Sequence, residues 1–206
     1  MSAMTLEFLF DFGSPNAYLA HKVIPEVEKR TGRKFTYVPV LLGGIFKATN
    51  NKPPMIAFGG IKGKMEYEML ETRRFIKHHG LTKFQLNPNF PVNTLLVMRG
   101  AVGAMLDGFL PKYVDAVMRH MWEDGLKMDD PEVAHAAFDA AGLDGTRIVA
   151  RTQDADVKQR LMDNTAQAVV RGAFGIPTFF VGSEIFFGKN TLRDVEDEIL
   201  RVKSAA

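Results

Sequence analysis

The stretch Phe8-Leu9-Phe10-Asp11-Phe12-Gly13-Ser14-Pro15-Asn16-Ala17-Tyr18-Leu19-Ala20 decides the fold of this chain. Its first half is short and rich in Phe and Leu, the pattern of a buried strand, and predicts one from Leu6 to Phe12. Its second half opens on Ser14, whose side-chain oxygen can cap free helix amides, and Pro15, whose fixed φ suits the first helical position. Leu19, Val23, Ile24 and Val27 then recur at helical spacing, and Gly32 closes the helix. Phe35 to Leu42 reads as a second strand of Val, Tyr and Leu. A strand, a helix and a strand in that order imply a parallel pair.

A second stretch, Phe174-Gly175-Ile176-Pro177-Thr178-Phe179-Phe180-Val181, reads as a loop that enters a strand through a proline. The turn Gly182-Ser183 and the run Ile185 to Phe187 complete a β-hairpin. A last helix carries Leu192, Val195, Ile199 and Val202 on one face. From Gly43 to about Ala150 there are helical patterns and no convincing strand. Gly43-Gly44, Asn50 to Pro54 and Gly59-Gly60 punctuate an irregular stretch. Met65 to His79 is a charged helix closed by Gly80. Asn87 to Pro91 is a loop, after which Asn93 or Thr94 can cap an apolar helix. Pro111 to Trp122, Pro131 to Ala141 and Asp154 to Arg171 are further helices. The order β-α-β, helices, β-β-α defines an α/β chain with a large helical insertion.

Composition limits the function classes. The 206 residues suffice for one sizeable core, and 46% hydrophobic with 24% charged residues is ordinary for a globular protein. The net charge is +2, with basic and acidic residues interleaved, so nucleic acid is not an expected partner. The first apolar run contains Glu7 and Asp11 and is no signal peptide; the longest, Leu95 to Leu106, holds Arg99 and is too short to span a bilayer. A cytoplasmic protein is expected. The five histidines are scattered and there is no cysteine, so no metal site and no redox chemistry on the protein's own sulfur are expected. Gly59-Gly60-Ile61-Lys62-Gly63-Lys64 is not a P-loop, because Met65 stands where Ser or Thr is required.

Phe10 to Leu19, Gly172 to Thr178, Phe186-Phe187-Gly188 and Asn51-Lys52-Pro53-Pro54 followed by Lys62-Gly63 together resemble one family over nearly the whole chain. It is the 2-hydroxychromene-2-carboxylate isomerase family, a DsbA-like branch of the thioredoxin fold related to the kappa-class glutathione transferases. The resemblance implies a thioredoxin-like domain, residues 1–42 and 152–206, interrupted by a helical domain, 43–151. In thioredoxin-like folds the Ser14 turn and the Pro177 loop face each other, and a redox cysteine pair starts the first helix. Here that position is Ser14, so the site is expected to hold a thiol that arrives from outside.

By the same resemblance, glutathione is the cofactor and Ser14 is the catalytic residue at its sulfur. The Ile176 main chain, before a cis Pro177, pairs with the cysteinyl backbone. Phe187, Gly188, Lys189 and Asn190 hold the γ-glutamyl end. Asn51, Lys62 and Asn93 lie toward the glutathione or the substrate. In this family the thiolate adds to a conjugated substrate, a ring opens, a bond rotates and the thiol leaves. The implied partner is a small aromatic carboxylate or another electrophile, and a homodimer is expected. A kappa-like transferase and a non-catalytic thiol- or peptide-binding module are the alternatives. One departure stands out. The family usually has Gly-x-Asp-Arg after the last aromatic pair, whereas this chain has Gly188-Lys189-Asn190-Thr191. Replacing a charge-assisted hydrogen bond by a neutral one weakens binding by about 1 kcal/mol.

The residues themselves allow this chemistry. A free thiol titrates near about 8.5, so little is thiolate at neutral pH. A hydroxyl at a helix N-terminus can donate to a sulfur anion, and the helix end adds positive potential. Simpler roles exist beside each of these: Ser14-Pro15 as a plain helix cap, Lys62 as a solvated loop lysine, Asn51 as a turn former. The apolar residues Phe46, Met55, Phe58 and Phe90 are candidates for walls around an aromatic substrate, and Trp122 for a packing anchor.

Overall fold

The computed structural model describes residues 5–204; the outermost residues 1–4 and 205–206 lie outside it. The chain forms β1 (Leu6–Phe10), α1 (Pro15–Thr31), β2 (Thr36–Pro39), α2 (Leu42–Thr49), α3 (Pro54–Phe58) and α4 (Lys64–His79). It continues through α5 (Leu95–Leu106), α6 (Leu110–Trp122), α7 (Pro131–Ala140), α8 (Gly145–Arg151) and α9 (Ala155–Val170). It ends with β3 (Thr178–Val181), β4 (Glu184–Phe187), a 3-10 turn (Lys189–Thr191) and α10 (Leu192–Ser204). This is a thioredoxin-like domain with an inserted block of helices.

The four strands lie in the order β2-β1-β3-β4. β1 runs parallel to β2, with Phe8 opposite Tyr37, and antiparallel to β3, with Phe8 opposite Phe179. The Phe8 ring stacks on Phe179 at 5.3 Å and is itself fully buried. Phe8 and Phe10 share one face of this central strand and the buried Leu9 lies on the other, so β1 carries apolar residues on both faces and does not alternate. α1 buries Leu19, Val23, Ile24 and Val27 against this sheet, and Gly32 closes it in the left-handed conformation with φ 69°. Leu192, Val195 and Ile199 of α10 are buried; Val202 is only half-buried.

Three expectations change. The first two strands are shorter than their apolar runs, stopping at Phe10 and Pro39. Val40 N–H still donates to Phe10 O at 3.1 Å, but Leu42 N–H turns to the Asp11 carboxylate at 2.7 Å and starts α2. Gly43 and Gly44 therefore lie inside a helix, not in an irregular stretch. A Cβ on Gly44 would sit 3.0 Å from Thr165 Cγ2 of α9, so this glycine marks a helix contact. α3 and α8 were also not foreseen: α3 is a single short turn of helix behind Pro53-Pro54, and α8 is started by the Asp144 side chain accepting from Arg147 N–H. Among the described residues no helix is long and apolar enough to cross a membrane.

Candidate active site

Ser14 is the N-cap of α1. Its backbone is extended, its Oγ accepts from Ala17 N–H at 3.2 Å, and Pro15 follows at the first helical position. The same Oγ donates to Ile176 O at 3.0 Å. The Ile176–Pro177 peptide is cis. The two stretches that decided the fold thus meet atom to atom, and Ser14 and Ile176 are both buried. Pro15 has no N–H, and Asn16 N–H has no acceptor within the helix, as at any helix start. The junction therefore combines a hydroxyl, a free amide and the positive end of a 17-residue helix.

Asp11 holds this turn in place. It is 1% exposed, yet its carboxylate accepts three hydrogen bonds. Gly13 N–H and Thr94 Oγ–H donate to Oδ1 at 2.8 and 2.7 Å, and Leu42 N–H donates to Oδ2 at 2.7 Å. One side chain thereby fixes the Ser14 turn and the starts of α2 and α5. Burial pushes the Asp11 carboxyl above its usual range, and the three donors pull against that. Phe12 is pinned from the other side: Trp122 Nε1–H donates to Phe12 O at 2.9 Å. Trp122 is fully buried and is more than the expected packing anchor. Thr94 stands at the start of α5 as expected, but the role of Asp11, its bond from Thr94 and this use of Trp122 were not foreseen. The available signal was a carboxylate inside the apolar run Phe10-Asp11-Phe12.

Asn51 follows the end of α2, and its side chain reaches the proline loop: Nδ2 donates to Phe174 O at 2.7 Å. Its Oδ1 accepts from Lys52 N–H, so it also shapes its own turn. The Phe174 and Phe187 rings lie 4.6 Å apart on the surface of this loop. Gly175 passes beneath Phe187, where a Cβ would lie 2.7 Å from the ring. Gly188 N–H donates to Pro177 O at 2.9 Å, which ties the turn after β4 to the proline. The next two residues diverge. Asn190 is exposed, whereas Lys189 is 4% exposed with its Nζ 5.4 Å from the Phe75 ring centre. Burial lowers the affinity of that ammonium for its proton, and Glu71 and Glu68 oppose the effect.

The structure therefore brings together Ser14, Ile176, Pro177, Asn51, Phe187 and Gly188, with Lys189 behind them. Asn93 sits beside Thr94; its Oδ1 accepts from Leu95 N–H at 3.1 Å, so its side chain serves the start of α5. Lys62 is exposed between α3 and α4. Of the apolar candidates, Phe90 packs toward Trp122 at 6.1 Å and Phe46 is half-buried, while Met55 is 64% and Phe58 37% exposed.

A thioredoxin-type sheet, with a serine at the head of α1 facing a cis-proline loop and no cysteine in the chain, defines a cysteine-free member of the thioredoxin class. The chain belongs to the family described as the DSBA-like thioredoxin domain, which residues 5–200 match. The 2-hydroxychromene-2-carboxylate isomerase of Pseudomonas putida is 25% identical over 202 residues, covering 97% of this chain and 96% of that one. Glutathione S-transferase kappa 1 of Homo sapiens is 26% identical over 192 residues, covering 84% and 79% respectively. A solved structure of a 2-hydroxychromene-2-carboxylate isomerase shares the fold with a TM-score of 0.80 at 24% identity, covering 97% of this chain and 96% of that one.

Proposed function

We propose that this protein is a glutathione-dependent isomerase of the 2-hydroxychromene-2-carboxylate type. Its substrates would be 2-hydroxychromene-2-carboxylate and trans-o-hydroxybenzylidenepyruvate or close analogues, in the breakdown of aromatic compounds. The observation that carries this reading is the Ser14 hydroxyl, buried at the head of α1 and engaged with the Ile176 carbonyl at 3.0 Å. The isomerase names of near-full-length relatives support the reaction class, and the kappa transferases support glutathione.

The residues fit the tripeptide. A donor hydroxyl and an unpaired helix amide suit a sulfur anion, and the loop around Ile176 offers main-chain groups for a short extended backbone. Glutathione, when bound, supplies the nucleophilic sulfur. Ser14 would turn its proton from Ile176 O to that sulfur. A hydrogen bond to a charged acceptor contributes about 1.5–3 kcal/mol, which lowers a thiol pKa by about one to two units. Asp11 and Trp122 keep the turn rigid while the proton is redirected. Ile176 and Pro177 would align the cysteinyl backbone. Phe187, Gly188, Lys189 and Asn190 would hold the γ-glutamyl end. Asn51, Lys62 and Asn93 would lie toward the glutathione or the substrate, with Lys62 available to a carboxylate. Met55, Ile56, Ile61 and Met69 on and around α3 and α4 are all exposed, which suits a homodimer. The absence of cysteine suits the cytoplasm.

A second reading, a kappa-like transferase, is favoured by the human relative and tested in the same assay. An isomerase leaves total free glutathione unchanged at completion. Stoichiometric loss of glutathione into a conjugate would replace the isomerase reading by the transferase. Binding of glutathione with no turnover of any substrate would leave only a thiol-binding module.

A further inference from the structure

A second cluster of titratable groups lies away from Ser14, on the flank of the sheet. His21 is seven residues along α1 from Ser14, about two turns. Its Nδ1 lies 2.9 Å from the Tyr37 hydroxyl on edge strand β2, and its Nε2 lies 3.0 Å from Asp115 Oδ1 on α6. One proton arrangement satisfies all three groups. Nε2–H faces the carboxylate, and Tyr37 O–H donates to Nδ1. Burial holds the Tyr37 phenol above its ordinary range, so it keeps its proton. The hydrogen bond from His21 holds the Asp115 carboxyl below its ordinary range, so it stays ionised.

These three side chains line a cleft of about 450 Å³ between α1, β2 and α6. Small-molecule sites are commonly about 300–1,000 Å³. Its walls are apolar, with Ile24, Phe35 and Val114 buried beneath it. Its other charges cancel. Lys34 Nζ lies 2.5 Å from Glu28 Oε2, and Glu28 Oε1 accepts from Phe35 N–H at 2.9 Å. Lys22, the next cation on α1, is paired with Glu123 at 3.1 Å. Asp115 keeps one oxygen, Oδ2, free of any hydrogen bond among the described residues, and its side chain is 73% exposed at the mouth.

An anion there would meet Asp115 with no unpaired cation to offset it. A cation with an apolar body would meet a carboxylate held in place by His21, above a hydrophobic wall. We propose that this cleft is a second small-molecule site, selective for aryl-alkyl ammonium compounds, with the ammonium on Asp115 and the ring against Pro25, Leu110 and Pro111, above the buried Ile24, Phe35 and Val114. The site is independent of Ser14 and of the isomerase reading.

The test is an NMR titration with 2-phenylethylamine, and with phenylacetate as the anionic counterpart, following the His21 ring resonances. The amine should produce saturable shifts and phenylacetate should not. Asp115→Asn should weaken the amine by about 1.4- to fivefold, the range of an exposed ion pair. Ser14→Ala should leave it unchanged. Absence of saturable shifts, equal binding of phenylacetate, or no effect of Asp115→Asn would each overturn the site. Loss of the amine in Ser14→Ala would place it at the other site and overturn the proposal equally.

Discussion

The Ser14 hydroxyl and the Ile176 carbonyl, 162 positions apart in the chain, are joined by a hydrogen bond of 3.0 Å. Ser14 caps α1 with the same oxygen, accepting from Ala17 N–H. One atom thus has a structural task, which uses its lone pair, and a proton that can be redirected. Ser14→Ala separates the two. Loss of the cap should lower stability by about 1 kcal/mol. Loss of the donor should lower kcat/KM by about 10- to 100-fold, the equivalent of one hydrogen bond to a charged group. Turnover equal to wild type in the folded variant would reduce Ser14 to a cap.

Asp11 makes a prediction with a definite sign. Its folded carboxyl titrates above its unfolded value, so its contribution to stability is full below about 3.9 and is lost as pH rises through the folded value. Thr94→Val removes one of the three donors that oppose this shift. The Asp11 carboxyl resonance should titrate at higher pH in Thr94→Val than in wild type, and stability at neutral pH should fall by about 1.5–3 kcal/mol. An unmoved or downward-moved titration would show that Thr94 is not a significant partner.

Trp122→Phe keeps most of the packing against Phe84 and Phe90 but deletes the bond to Phe12 O. A buried carbonyl left without its donor costs about 1–3 kcal/mol. Denaturant unfolding should register that loss, with KM for glutathione rising because the Ser14 turn is less firmly held. Unchanged stability would mean that another donor replaces the indole.

Gly175 lies under the Phe187 ring, where a Cβ would approach to 2.7 Å. Gly175→Ala should therefore push Phe187 outward and weaken glutathione, and adding Phe187→Leu should restore part of the affinity. If the double variant binds no better than Gly175→Ala alone, the ring contact is not the cause.

Much of this arrangement can be read in the residues. Ser14-Pro15 has a local reason to start a helix, and Thr178 to Phe187 has a local reason to form a hairpin, so both elements stand where expected. What was not legible depends on distant partners. α2 begins because Leu42 N–H finds Asp11 across 31 positions, and its glycines look like turn residues until Thr165 of α9 is placed against Gly44. Thr94 reaches Asp11 across 83 positions and Trp122 reaches Phe12 across 110. Asn190, where the resemblance implies an aspartate, was visible in sequence, and the structure leaves it exposed beside the buried Lys189. Asn190→Asp should tighten glutathione by about 1 kcal/mol in calorimetry if the γ-glutamyl ammonium lies there. Unaltered affinity would place that group elsewhere.

The most direct measurement follows the ionisation of glutathione on the protein, by thiolate absorbance against pH, in wild type and Ser14→Ala. In wild type the bound thiol should titrate about one to two units below its free value, and Ser14→Ala should return it most of the way. A bound thiol that titrates as it does in water, or one whose lowered value survives Ser14→Ala, would contradict the account.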